Sequence, residues 1–230
     1  SSALATPVAL ELALLVDVSS SVSTTEYNLQ KQGYINAFRD ATVQAAIASR
    51  TGGIAVTYIE WSSFNQQASL VNWFHLTDSV SSNLFADAIA ATSRAFLGNT
   101  APGSALNYAV PRFESNGFES LRQVIDVSGD GAQNAGDNTA AARDAALAAG
   151  IDAINGLPIL GEAGVLNWYE NNIKGGAGAF VIAASGFDTF ENAVKTKIGR
   201  EIRNDVPVPA TLALMGLGLT GLAAVRRRKA

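Results

Sequence analysis

Residues 8–16 form an almost unbroken apolar run, interrupted only by Glu11, the pattern of a strand buried on both faces. The run ends at Asp17. Thr24 or Thr25 is placed to cap a long helix whose Tyr27, Ile35, Phe38 and Ala45 or Ala46 share one face, with Gln30, Lys31, Arg39 and Gln44 elsewhere. Gly52-Gly53 punctuates the chain before a strand over 54–61. A second β-rich run, 67–76, follows a Ser-Ser-Phe-Asn turn, so the pair predicts a hairpin at the sheet edge. Helical spacing returns over 79–95 and 104–113, and a β-rich run over 121–127 leads into Ser128-Gly129-Asp130-Gly131. Beyond it the pattern predicts a helix over 138–149, a strand over 151–159, a short helix over 166–173, a strand over 179–184 and a helix over 187–203. Alternating strands and helices predict an α/β fold with a doubly wound, mostly parallel sheet covered by helices on both faces.

The pattern changes abruptly at Val206-Pro207-Val208-Pro209, where two prolines force an extended connector. Residues 210–225 are all apolar, Gly or Thr, and Arg226, Arg227, Arg228 and Lys229 close the run. Sixteen residues at ~1.5 Å rise cover ~24 Å, marginal against a hydrocarbon core of roughly 30 Å. The chain therefore divides into an N-terminal segment 1–7, an α/β domain 8–205, and a sorting or anchor segment 206–230 containing a C-terminal apolar, transmembrane-type helix. The 230 residues carry a formal charge of −4, and four of the sixteen basic residues lie in the tail. The body is thus more acidic than the whole, which excludes nucleic acid as a partner. Without cysteine there is no disulfide framework and no thiolate chemistry. Export to the envelope or medium is expected.

Two buried strands end in acids, and in a doubly wound sheet ligands sit beyond the carboxyl ends of strands where their order reverses. Asp17-Val18-Ser19-Ser20-Ser21 places a carboxylate and two hydroxyls at alternate positions in a turn. Such oxygens suit a hard cation, and no His or Cys is needed. Asp-x-Ser-x-Ser after a hydrophobic strand resembles the metal-ion-dependent adhesion site (MIDAS) of von Willebrand factor A domains. Thr100-Ala101-Pro102-Gly103-Ser104 resembles that family's Thr loop, and Asp130-Gly131 its strand-terminal Asp-Gly. The resemblance implies that Ser19 and Ser21 bind the metal directly and Thr100 directly or through water. It also implies that Asp17 and Asp130 act through the metal's waters and the serines. The implied cofactor is a divalent cation, Mg²⁺ with Mn²⁺ or Ca²⁺ as alternatives, with one coordination position left for the carboxylate of a protein or other acidic ligand. The competing reading is that Asp17 and Ser19 only form an Asx turn or helix cap, but it leaves Thr100 and Asp130 unexplained.

Glu60-Trp61, Val71-Asn72-Trp73, the 126–131 segment, Ile154-Asn155-Gly156-Leu157 and residues 175–181 are similar to recurring segments of a bacterial branch of A-domain proteins of uncharacterised function. The tail resembles the PEP-CTERM class of bacterial sorting signals, nearer its Val-Pro-Leu-Pro-Ala variant, which implies a membrane or a sorting enzyme as its partner. The lone His75 and the tryptophans Trp61, Trp73 and Trp168 are expected to be structural. No serine has a histidine partner in the pattern, and the glycine clusters lack a phosphate-loop ending, so no enzyme is expected. The expectation is a metal-dependent binding or adhesion module at the cell surface. The alternative is a self-assembling, homo-oligomeric surface or matrix component whose metal site is structural.

Overall fold

The structure is a computed structural model that describes residues 4–203. The expected C-terminal apolar helix and anchor, 206–230, lie outside the described residues. Among those that are described, no helix is long and apolar enough to cross a membrane.

Short β1 (Thr6–Val8) leads into β2 (Leu10–Asp17), whose eight residues are all buried. Around it the chain builds β3 (Ile54–Trp61), β4 (Gln67–Leu76), β6 (Gln123–Gly129), β7 (Ala153–Pro158) and β8 (Gly175–Gly176) into one sheet of order β4-β3-β2-β6-β7-β8. β3, β2, β6 and β7 run parallel, while β4 and β8 close the edges antiparallel. β5 (Phe118–Ser120) pairs with β1 apart from the main sheet. The central strand shows why both faces are apolar: Leu12, Leu14 and Val16 enter one core cluster, Ala13 and Leu15 the other. Helices α1 (Thr24–Arg39), α2 (Ala41–Ala48), α3 (Ser79–Ala90) and α7 (Phe190–Arg203) cover the first face. α4 (Pro102–Ala109), α5 (Thr139–Ala148) and α6 (Val165–Asn172) cover the second.

The element pattern departs from expectation in instructive places. The first helix does not run unbroken to Ala45. Asp40 is extended and caps α2 instead, its Oδ1 accepting the N–H groups of Thr42 and Val43 at 2.8 and 3.3 Å. The N-cap of α1 is Ser23 rather than Thr24 or Thr25, in a capping box with Glu26. α3 stops at Ala90, and residues 92–99 form a loop over the carboxyl end of the sheet. The helix expected from 104 starts at Pro102 and tightens into a 3₁₀ turn at Val110–Phe113, where Pro111 supplies no N–H. Strand 179–184 reduces to isolated bridges, Gly156 with Val181 and Ile159 with Ala184: Asn155 Oδ1 takes the Phe180 N–H at 3.0 Å, and Pro158 between the bridges has no N–H to donate.

β3 and β4 extend the sheet to one side of β2, and β6 to β8 to the other. The carboxyl ends of β2 and β6 are neighbours, with Val16 opposite Ser128, and their loops diverge there. This is the position where the fold leaves a crevice.

Candidate metal centre

Asp17 is the last residue of β2, fully buried, and its Oδ1 accepts the Ser19 N–H at 2.8 Å. That Asx-type turn carries the chain over the sheet end and aims two hydroxyls outward. Ser19 Oγ and Ser21 Oγ lie 3.0 Å apart, and Ser21 donates to Asp130 Oδ1 at 2.8 Å. Thr100, one residue before α4's N-cap, donates to Ser19 Oγ at 3.3 Å. The five residues singled out from the sequence thus form one hydrogen-bonded cluster drawn from three loops. Ser21 is exposed and Asp130 half-buried, whereas Asp17, Ser19 and Thr100 are closed in.

The electrostatics of the cluster are unbalanced. Burial pushes the Asp17 carboxyl up to about 7 against the pull of the Ser19 N–H, and repulsion from Asp130 adds to the rise. Asp130 is raised too, chiefly by burial, with Ser21 opposing and Glu26 and Glu162 adding repulsion. Asp17 Oδ2 is buried and makes no hydrogen bond. Among the described residues no group of three or more His, Cys, Asp or Glu is placed to hold a metal, so any cation here relies on hydroxyl oxygens beside two carboxylates. The donor set is entirely oxygen, includes a buried carboxyl oxygen without a hydrogen-bond partner, and opens on one side to solvent. It fits a hard divalent cation.

Several residues that hold this cluster lie outside the motifs that mark it in the sequence. Arg94, inside what reads as a helix, sits in the 92–99 loop and donates through Nη2 to the carbonyls of Val18, Ser19 and Val22 at 2.9, 2.8 and 2.7 Å. Gln30 Nε2 reaches the Asp17 carbonyl at 2.8 Å from α1. Asn134 Oδ1 accepts the Thr100 N–H at 2.8 Å, and Buried Glu60 takes the Ala95 N–H at 2.8 Å and the Tyr27 hydroxyl at 2.9 Å. Each is a long-range contact whose partners are far apart in the chain. Beside Ser21 and Asp130 a groove of about 460 Å³ opens, lined by Leu29, Leu160 and Phe187 and rimmed by Glu26, Glu162 and Asp188. His75 and the tryptophans are structural. His75 Nε2 bonds the Gly52 carbonyl at 2.7 Å, Trp61 is fully buried, and Trp73 and Trp168 pack against the second core cluster.

The family model described as "Protein of unknown function (DUF1194)" matches residues 7–206. The chain belongs to that family. A PEP-CTERM protein-sorting motif matches residues 205–229 of this DUF1194 chain, a signal that indicates export to the envelope. No curated protein matches it. Among solved structures, proximal thread matrix protein 1 from the mussel byssus, with a zinc-occupied MIDAS motif, is similar at 19% identity. It covers 83% of this chain and 46% of that one, with a TM-score of 0.59. The pilus adhesin SpaC from Lactobacillus rhamnosus GG is similar at 15% identity over 85% of this chain and 31% of its own, TM-score 0.62. A von Willebrand factor type A structure from Catenulispora acidiphila matches at 12% identity over 86% and 44%, TM-score 0.61. The DUF1194 chain spans less than half the length of each of these three. The likeness shows the von Willebrand factor A-like fold.

Proposed function

We propose that this protein is an envelope-targeted recognition module that binds a divalent cation through Ser19, Ser21 and Thr100, with Asp17 and Asp130 supplying charge, and through that cation a carboxylate of a partner protein. The observation that carries the reading is the pairing of a buried, unbonded carboxylate oxygen on Asp17 with an outward cluster of hydroxyls that ends at exposed Ser21. Two acids pushed towards protonation, first by burial and then by repulsion from Asp130 on Asp17 and from Glu26 and Glu162 on Asp130, are poorly placed for a metal-free fold, and the charge of a divalent cation opposes both rises. The groove beside Ser21 and Asp130, with Leu29, Leu160 and Phe187 in its lining, offers a partner apolar surface beside the cluster. The PEP-CTERM motif, a signal for export to the envelope, is consistent with such a role, and the similar SpaC structure is that of a pilus adhesin. Mg²⁺ is the expected ion because the donors are hard oxygens and the site is incomplete without water or ligand, with Mn²⁺ and Ca²⁺ as alternatives. We read the protein as a binder rather than an enzyme, since its two clustered acids serve the cation.

The second reading, a self-assembling matrix component with a structural ion, is favoured by the likeness to a thread matrix protein. The open face of the cluster argues for recognition instead. Calorimetric titration with MgCl₂ and MnCl₂ tests the metal: wild type is expected to bind, and Asp17→Ala to lose binding. Equal binding, or none in either, defeats the reading. A metal-saturated protein that is monomeric and stays so at high concentration defeats the matrix alternative.

A further inference from the structure

Tyr169 stands outside every motif that marks the cluster, yet the fold delivers its hydroxyl there. Its ring is fully buried on α6 in the second core cluster, one turn after Val165. Two glycines on neighbouring strands make the slot. A Cβ on Gly156 of β7 would meet the ring at 2.8 Å, so the missing side chain seats the ring against the strand. A Cβ on Gly129 of β6 would lie 2.6 Å from Asp17 Oδ2 and 2.7 Å from Tyr169 Oη, so the second missing side chain leaves both oxygens facing one point. Neither oxygen makes a hydrogen bond. Phenylalanine would fill the same slot without burying an unsatisfied hydroxyl, which buried polar groups rarely tolerate.

We infer that Tyr169 is a positioning residue of the metal centre, its hydroxyl donating to Asp17 Oδ2, directly or through one buried water, when a divalent cation is bound. The inference rests on the metal-binding reading above. An ionised Asp17 beside the cation is an acceptor on both oxygens, and the Ser19 N–H already serves Oδ1. Tyr169 is the neighbouring donor for the other, and it fixes the carboxylate's orientation as outer partners of metal sites do. The tyrosine stays protonated throughout, since burial first and then Asp17, Asp130 and Asp126 raise its hydroxyl well above the ordinary range.

Calorimetric Mg²⁺ titration of wild type, Tyr169→Phe and Tyr58→Phe tests this. Tyr58 is the matched control, being also fully buried with an unbonded hydroxyl but in the cluster on the other face of the sheet. Tyr169→Phe is expected to weaken Mg²⁺ binding about tenfold or more, to melt no lower than wild type in chelator, and Tyr58→Phe to bind as wild type does. Affinity within twofold of wild type for Tyr169→Phe overturns the inference, as does equal weakening by both variants. Failure of wild type itself to bind overturns the metal reading first and is recognised separately. Should Tyr169→Phe not fold, the near-ultraviolet spectrum of the wild-type protein decides: Mg²⁺ is expected to shift tyrosine absorption to the red as a buried hydroxyl gains an acceptor, and an unchanged spectrum sinks the idea.

Discussion

At the scale of single residues, the cluster depends on groups that terminate regular structure and on one cation that holds them. Arg94 binds three carbonyls of the 17–22 turn with one guanidinium nitrogen, and its Nε reaches the Phe96 carbonyl at 3.1 Å. Those carbonyls would otherwise need water in a place that Tyr27 and Phe96 close off. Arg94→Ala is expected to cost about 2–3 kcal/mol of stability, from stranded acceptors and lost packing against Tyr27. It is also expected to weaken Mg²⁺ binding. Arg94→Lys should recover only part of either, because a single ammonium does not reproduce the planar fork. Thermal melts in chelator and calorimetry on the same samples separate the two effects. A variant that melts and binds like wild type removes Arg94 from the site. Gly129→Ala places a methyl group 2.6 Å from Asp17 Oδ2. Its Mg²⁺ affinity should fall more than tenfold by the displaced carboxylate, and undiminished binding in a calorimetric titration would show that the close approach is unimportant.

At the scale of elements, α7 is pinned beneath the sheet by charge as well as by apolar packing. Lys197 lies fully buried, 2.5 Å from Asp126 of β6 and 2.6 Å from Glu201 one turn along its own helix. Asn155 Nδ2 donates to the same Glu201 Oε1 at 2.9 Å. Two carboxylates share one lysine, and the Asp126 carboxyl is raised from 3.8 to about 7, first by burial, with Lys197 opposing and Glu201 adding to the rise. The folded state therefore holds a proton between pH 4 and about 7 that the unfolded chain releases, so stability falls as pH rises through that window. Metal-free wild type should lose on the order of 2 kcal/mol from pH 4.5 to 8. Asp126→Asn should flatten the profile, leaving the part that Asp17, Asp130 and Glu60 contribute with the same sign. Denaturant midpoints in chelator across that range measure it, and identical slopes for the two proteins would refute the assignment. Lys197→Met leaves two buried carboxylates without their cation and is expected to cost about 3–5 kcal/mol.

At the scale of the whole molecule, the family match ends at residue 206 and the PEP-CTERM motif begins at residue 205. Fold and address are thereby separated along the chain. We expect a form ending at Asp205 to be soluble and to melt in one cooperative transition, because residues 4–203 fill a core on both faces of the sheet. In cells the same truncation should move the protein from the membrane or envelope fraction to a different distribution. Fractionation that finds the two forms alike would show that the tail does not sort it, and a non-cooperative melt would show that it belongs to the core.

How much of this was legible beforehand follows from the range of the forces involved. The alternation of strands and helices is written in local periodicity. Residues 54–61 and 67–76 were delimited correctly because turn residues bound two β-rich runs, and the acidic strand ends at Asp17 and Asp130 marked the crevice because a doubly wound sheet must open there. The break at Asp40 was missed because cap and interior share the same apolar face on either side. The 179–184 run forms only isolated bridges because the Asn155 side chain replaces one ladder bond and Pro158 cannot donate another. Arg94, Gln30, Glu60 and Tyr169 were invisible to periodicity: an arginine, a glutamine, a glutamate and a tyrosine in amphipathic segments look alike until packing selects one partner. The sequence by itself determined the alternation of elements, the oxygen-rich turn and the sorting tail, since each depends on neighbours in the chain. Only the tertiary structure decided which distant groups brace that turn and which oxygens stay unbonded. Burial converts a residue's position among its neighbours in space into a desolvation cost, and nothing in a linear pattern carries that cost.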